Sequence, residues 1–250
     1  TRAMGLAVEK ARAVGVGVVS VKGSAHIGFL GYYVSRAARQ RMIGIASTNT
    51  EPAMAPPGGA EPVLGTNPIA IGIPTDRTPI VIDMATSVVA RGKIVDLLKK
   101  GKKITKGWAV DKEGRETEDP EKALEGALMP IAGIKGYCLA FAFDLLTGAL
   151  SGASVGKDVK GTLHTEELST KGDLFIAINS EMFCGLKGFI DKVEALKTQV
   201  KTCKTFSVQE IYLPGEPETI MRVKRMREGI PIDNQLWNEL MELEKSLKKN

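Results

Sequence analysis

The stretch TNTEPAMAPPGGAEPVLGTNP, residues 48–68, decides how the rest of the chain is read. Its five prolines and three glycines exclude a regular helix and a paired central strand. Its Ala, Met, Val and Leu make it a poor disordered linker. A long, ordered, apolar loop inside a compact domain is uncommon and usually forms a functional wall. The plainer alternative is a surface crossover.

Before this loop, Arg2–Val14 carries Met4, Leu6, Ala7, Ala11 and Val14 on one face of a helix that Gly15 ends. Residues 16–21 are nearly all apolar, which predicts a short strand covered on both faces. Gly15-Val16-Gly17 is no dinucleotide fingerprint: it follows a helix and opens a strand, the reverse of the required order, and lacks the third glycine. A helix is expected from Gly23-Ser24-Ala25-His26-Ile27-Gly28 through about Gln40, with Ser24 as its N-cap and His26 in its first turn. His26 there is either a structural histidine or, lying between a strand and a helix start, a functional one. Residues 42–48 form a second strand that runs into the loop.

After the loop, IAIGI (residues 69–73) and IVID (residues 80–83) flank the turn PTDRTP and read as an antiparallel hairpin. Asp83 closes it, either as a helix cap or strand-end hydrogen bond or as a polar group of a site. A helix follows to about Lys100, and Asp111-Lys112-Glu113-Gly114 is a turn. Gly133-Ile134-Lys135-Gly136 opens a very apolar helix, where the lysine either holds an anion or sits in a solvated turn. Residues 157–170 are polar, with His164 read as a surface residue. A buried strand is expected at 174–178 and a helix at 181–201 with Phe183, Leu186, Phe189 or Ile190, Val193, Leu196 and Val200 inward. A last strand is expected at 209–213, then a terminal helix capped by Asp233 with Leu236, Leu240, Leu243 and Leu247 as its stripe.

The 250 residues suffice for one large domain or two interleaved ones, and 43% hydrophobic with 25% charged residues are ordinary globular values. The net charge of +5 is scattered and the aromatic content is 5%, so no nucleic-acid partner is expected. Some attraction for small anions remains. Cys138, Cys184 and Cys203 show no paired spacing, which suits a reducing, cytoplasmic compartment and gives no metal site. No apolar run is long enough to span a bilayer, so no membrane partner is expected. These features give an α/β protein with short apolar strands and none of the usual nucleotide motifs.

The succession GSAHIGFLGYY, TNTEPAMAPPGGAEPVLGTNPIAIGIP, IDMATSVVARGKI and GWAVDKEGRETEDPEKALEGALMPIAGIKGYCLA resembles the malate/L-lactate (or sulfolactate) dehydrogenase family from residue 1 to about 243. TKGDLFIAINSEMF and the closing PGE are most similar to its archaeal branch. The resemblance implies a mixed-sheet, non-Rossmann nucleotide-binding fold. It also implies a homodimer and NAD- or NADP-dependent interconversion of a 2-hydroxy acid (malate, L-sulfolactate or L-lactate) and its 2-oxo acid. It assigns cofactor contacts to Thr86, Ser87, Val88, Val89, Ala90, Arg91 and Gly92, to Ile134, Lys135 and Gly136, and to Gly215 and Glu216. His26 matches a substrate-facing histidine of a motif usually written Asn-His-Phe-Gly, with Ala25 in place of the Asn. Asp83, just before the cofactor block, is expected to support the polar network of the site.

In the same family a Ser-His-Gly histidine and an arginine that binds the substrate carboxylate lie upstream, and neither is among these residues. The expectation is therefore a chain lacking its upstream helical segment. Residues of about 1–45 and 150–250 would pack around an NAD(P)-binding part at about 46–150. A silent nucleotide-binding remnant, or a reductase of another 2-oxo or cyclic imino acid, are the alternatives.

Overall fold

The computed structural model describes residues 1–161, 167–206 and 210–248. His164 and Gln209 lie outside them. The chain divides into Thr1–Ile211 and Tyr212–Asn250.

The first unit is built on a five-stranded sheet. Its strands are β1 (Val16–Lys22), β2 (Ile43–Thr48), β3 (Ile69–Ile73), β4 (Ile80–Met84) and, far along the chain, β8 (Gly172–Ile178), in the order β1-β8-β2-β3-β4. Every ladder between these strands is antiparallel. The β3–β4 hairpin forms with Ile73 opposite Ile80, as IAIGI-PTDRTP-IVID predicts. Its turn is tied by Thr75 Oγ1 donating to the Thr78 carbonyl at 2.8 Å. β8 is an inner strand and, being flanked by strands on both sides and covered, is buried along most of its length.

The expectation that β1 is covered on both faces is corrected. β1 is an edge strand with alternating exposure, Val16 and Val18 being 39% and 49% exposed. Valines suit either face of a half-buried strand, so composition alone did not separate edge from centre.

Helices α1 (Arg2–Val14) and α2 (Gly31–Arg39) pack against the sheet. Met4, Ala7, Ala11, Val34 and Ala37 meet Ala46, Ala70, Phe175 and Ala177 in one core. Full burial of a side chain such as Val34 is worth roughly 1.5–3 kcal/mol. The approach of α1 depends on Gly17, where a Cβ would stand 1.9 Å from the Ala7 carbonyl oxygen. The glycine pair that imitates a nucleotide motif thus ends a helix and admits its backbone onto the sheet.

α2 begins later than expected. Residues 24–29 form no regular structure, Leu30 is the N-cap, and Ser24 caps nothing. Asp83 Oδ2 instead accepts from the Gly31 N–H at 2.7 Å, satisfying a donor at the start of α2 from the neighbouring strand β4.

A second core gathers Ala53, Met54, Leu64, Val89, Ile94, Ile104, Ala109, Ala123, Leu128 and Ala140. It draws on a small antiparallel sheet of β5 (Ala109–Val110), β6 (Glu116–Thr117) and β7 (Ala127–Leu128). Around that sheet lie α3 (Arg91–Lys99), α4 (Pro120–Glu125) and α5 (Ile134–Asp144). α5 ends in a π-helical turn, Leu145–Ala149. The 48–68 loop packs into this second core: Met54 forms an antiparallel bridge with Leu64 and a parallel one with Leu128.

α6 (Leu186–Thr202) buries only Ile190, so the inward placing of Phe183 and Leu196 is corrected: they are 68% and 61% exposed. In Tyr212–Asn250, α7 is Glu216–Glu228 and α8 is Asn234–Leu247. Asp233 caps α8 as expected, accepting from Gln235 N at 2.8 Å. The stripe Leu236, Leu240, Leu243 and Leu247 is present but exposed. No strand forms at 210–213, where Pro214 follows at once and no neighbouring strand pairs with the segment. No helix among the described residues is long and apolar enough to cross a membrane.

Candidate active site

His26 sits on the exposed loop between β1 and α2, and the backbone on both sides of it is hydrogen-bonded. Gly23 N donates to the Lys171 carbonyl at 2.8 Å, and Ser169 Oγ donates to the Ser24 carbonyl. Lys171 Nζ donates to the Ala25 carbonyl at 3.2 Å, and the Tyr33 hydroxyl donates to the Ile27 carbonyl at 2.6 Å. The Gly28 N–H donates to His26 Nδ1 at 2.9 Å. An Nδ1 that accepts leaves Nε2 to carry the proton of the neutral ring. The imidazole therefore presents an N–H donor from its far side.

Behind this loop is a buried ionic cluster. Lys171, Asp173 and Glu51 are 2%, 1% and 7% exposed. Lys171 Nζ lies 4.0 Å from Asp173 Oδ1, an oxygen that finds no hydrogen-bond donor among the described residues. Burial pushes the Lys171 ammonium below the usual lysine range, against the pull of Asp173 and Glu51. Burial, with the negative charge of Asp173, pushes the Tyr33 phenol above its usual range. Glu51 also acts on Arg91, whose guanidinium is lowered by burial. The charge of Glu51, in the proline-rich loop, therefore bears on both Lys171 and Arg91. Neither Lys171 nor Tyr33 was singled out by sequence. The one available signal was a lysine directly before GDLFIAI, a run whose burial the sequence did show.

The expected cofactor block, residues 86–92, is pinned from two sides. Thr86 donates to the Thr66 carbonyl through both its N–H (2.9 Å) and its hydroxyl (2.8 Å). Val88 N donates to Met129 O and Ile131 N to Thr86 O, each at 2.8 Å. This brings 86–88 beside the segment that leads into Ile134, Lys135 and Gly136. Thr86, Ser87 and Val89 are buried, and Ser87 Oγ is spent on the Val89 carbonyl at 2.7 Å. The groups that face outward are Val88, Ala90 and Gly92. α3 and α5 both begin without a side-chain cap, at Ala90 and Gly133. Their first N–H groups are available to an anion, and a Cβ on Gly92 or Gly133 would meet nothing within 4 Å. Two uncapped helix starts offer the kind of N–H donors that an anionic group such as a pyrophosphate takes up. Gly215 is a left-handed N-cap of α7, and Glu216 Oε2 accepts from Leu213 N at 2.8 Å. No group of three metal-ligating side chains occurs among the described residues, and the three cysteines are free and exposed.

A second buried polar cluster anchors the loop. Asn67 Nδ2 donates to the Ala140 carbonyl at 2.9 Å and to Asp144 Oδ1 at 3.2 Å, while its Oδ1 accepts from Thr50 N at 3.0 Å. Asp144 Oδ2 accepts from Gly156 N at 2.7 Å. Asn49 joins Ser154 O to Gly172 N, each at 2.9 Å. Burial pushes the Asp144 carboxyl above the usual range, opposed by its bonds from Gly156, Asn67 and Asn49.

These features define a non-Rossmann α/β protein with a histidine loop and a pair of uncapped helix starts. The chain belongs to the Malate/L-lactate dehydrogenase family, which it matches over residues 1–241. It is 51% identical over 242 residues to the L-sulfolactate dehydrogenase of Methanocaldococcus jannaschii, covering 97% of this chain and 70% of that protein. The solved sulfolactate dehydrogenase structure from M. jannaschii superposes with a TM-score of 0.91 at 50% identity, over 99% of this chain and 71% of that one. The (2R)-3-sulfolactate dehydrogenase (NADP+) of Chromohalobacter salexigens is 40% identical, over 94% of this chain and 68% of its own. The ureidoglycolate dehydrogenase (NAD+) of Escherichia coli K12 is 35% identical with the same coverage.

Proposed function

We propose that this chain is an NAD- or NADP-dependent oxidoreductase interconverting a 2-hydroxy acid, malate or L-sulfolactate foremost and L-lactate next, with its 2-oxo acid. The match to 2-hydroxyacid dehydrogenases across nearly the whole chain carries this reading. When bound, a nicotinamide exchanges hydride with the carbon that bears the substrate oxygen. His26, its Nδ1 held by Gly28, offers Nε2–H to that oxygen and steadies the charge that develops there. Val88 to Gly92 and Ile134 to Gly136 hold the dinucleotide, and the uncapped starts of α3 and α5 support that role. Gly215 and Glu216 are proposed as further cofactor contacts on the strength of the family match. Asp83 serves at one remove, by fixing the first turn of the helix after the histidine loop.

The cofactor-binding part is assigned to about 46–150 within an interleaved arrangement, supported by the second core, whose residues fall between Ala53 and Ala140. A homodimer is supported by the apolar face of α5 and its π turn, where Ile134, Phe141, Leu145 and Leu150 are 65%, 48%, 44% and 61% exposed. A cytoplasmic setting is supported by the three free cysteines. The test is loss of reduced-nicotinamide absorbance with NADH or NADPH against oxaloacetate, 3-sulfopyruvate and pyruvate, with His26→Ala alongside. Turnover that falls roughly 10²-fold or more in His26→Ala is expected. Cofactor binding with no turnover on any 2-oxo acid overturns the reading, and full activity in His26→Ala removes the histidine from it.

A further inference from the structure

The peptide groups on the two sides of His26 are held by two side chains. Lys171 Nζ binds the Ala25 carbonyl and the Tyr33 hydroxyl binds the Ile27 carbonyl. Lys171 and Tyr33 come from different elements, the lead into β8 and the first turns of α2, yet Asp173 acts on both. The loop they grip has no regular structure and is bounded by glycines with left-handed backbones, Gly23 at φ 69 and Gly28 at φ 77. Left to itself, such a segment would sample many directions for its side chain. The lysine is an expensive choice for a purely structural tie, because it is 2% exposed and has an imperfect partner in Asp173. Each donor fixes one carbonyl, and the ring between them is fixed in turn by the Gly28 N–H on Nδ1.

We propose that Lys171 and Tyr33 are positioning residues that clamp the carbonyls flanking His26 and so set the direction in which Nε2 faces the substrate. The proposal rests on the reading of His26 as the substrate-facing histidine. A misplacement of about 1 Å at a reacting group can cost about 10²-fold in rate, which makes a two-point clamp functionally consequential. Neither side chain touches substrate in this account; both act through the backbone of residues 25–27.

The experiment compares Tyr33→Phe and Lys171→Met in the full chain, with Val34→Ala as a core-destabilising control on α2. Two quantities are read: kcat against KM for the reduced nicotinamide, and hydrogen exchange of the Gly28 amide. In both clamp variants kcat is expected to fall roughly 10-fold or more with cofactor KM within about twofold. Gly28 exchange is expected to quicken roughly 10-fold while β8 amides stay protected. Val34→Ala is expected to melt lower and keep its kcat. A folded Tyr33→Phe protein with the parent's kcat and Gly28 exchange overturns the clamp. Should Lys171→Met fail to fold, Tyr33→Phe decides alone. Should the parent chain show no turnover, the dehydrogenase reading falls separately. The clamp is then decided by Gly28 exchange and by the His26 ring signals, readily assigned in a chain with two histidines.

Discussion

Two buried carboxylates sit at opposite ends of the proline-rich loop's influence, and they are treated very differently. Asp144 is 3% exposed and both of its oxygens are matched, by Asn67 and by the Gly156 N–H. Asp173 is 1% exposed, and one of its oxygens faces a buried lysine 4.0 Å away with no hydrogen bond among the described residues. Buried ions are tolerated when geometry and hydrogen bonds are complete, and become costly when they are not. The Asp144 cluster therefore reads as framework, joining the TNT and GTNP corners to α5. The Asp173 cluster carries an unrelieved cost directly behind the histidine loop, where strain of this kind is associated with function. Completeness of the polar network distinguishes the Asp144 cluster from the Asp173 cluster.

The comparison is broken most directly at Asn67. Asn67→Ala strips donors or acceptors from Thr50, Ala140 and Asp144, and places Ala at a backbone φ of 25. At about 1–3 kcal/mol for each buried group left unmatched, the expected loss is about 4–6 kcal/mol, read by urea denaturation. Lys171→Met ranks next: it leaves the buried Asp173 without the cation beside it, and a loss of about 3–5 kcal/mol is expected by the same measurement.

The two clusters also separate by pH. The folded carboxyl of Asp144 is raised, so its contribution is present below the unfolded range and is lost as pH rises through the folded value. Folded Lys171 is lowered, so its contribution is present above the unfolded lysine range and is lost as pH falls through the folded value. Stability differences between the parent and Asp144→Asn should therefore shift in the parent's favour towards acid. Those between the parent and Lys171→Met should shift in its favour towards alkali. Parallel slopes would erase the distinction. The smallest change is Tyr33→Phe, which removes one hydroxyl bonded to Ile27 O and is expected to cost about 1 kcal/mol in thermal unfolding.

What the sequence discloses follows the range of the interactions concerned. The β3–β4 hairpin, the end of α1 at Gly15 and the Asp233 cap are local arrangements, and each is legible from adjacent residues. The start of α2 is not, because its cap comes from Asp83, 52 positions away in the chain. The edge position of β1 is hidden for the same reason: it depends on β8 entering beside it. Phe183 falls before α6 begins at Leu186, and Leu196 lies on a face of α6 that remains exposed among the described residues. At the site, the residue types His26 and Asp83 stand out in isolation, and the resemblance adds the cofactor block. Lys171 and Tyr33 become visible only when tertiary contacts bring two carbonyls and a carboxylate to them.

The order β1-β8-β2-β3-β4 has a consequence for how the chain is made. β1 and β2 emerge early but do not pair with each other; the strand that joins them begins at Gly172. Until then the growing polypeptide holds a hairpin-extended sheet on one side and an unpaired β1 on the other, each with an open edge. Closing so distant a pairing is slow relative to local contacts. Synthesis past Ile178 is therefore the event that completes the sheet, and interruption before it leaves two aggregation-prone halves rather than a smaller folded protein.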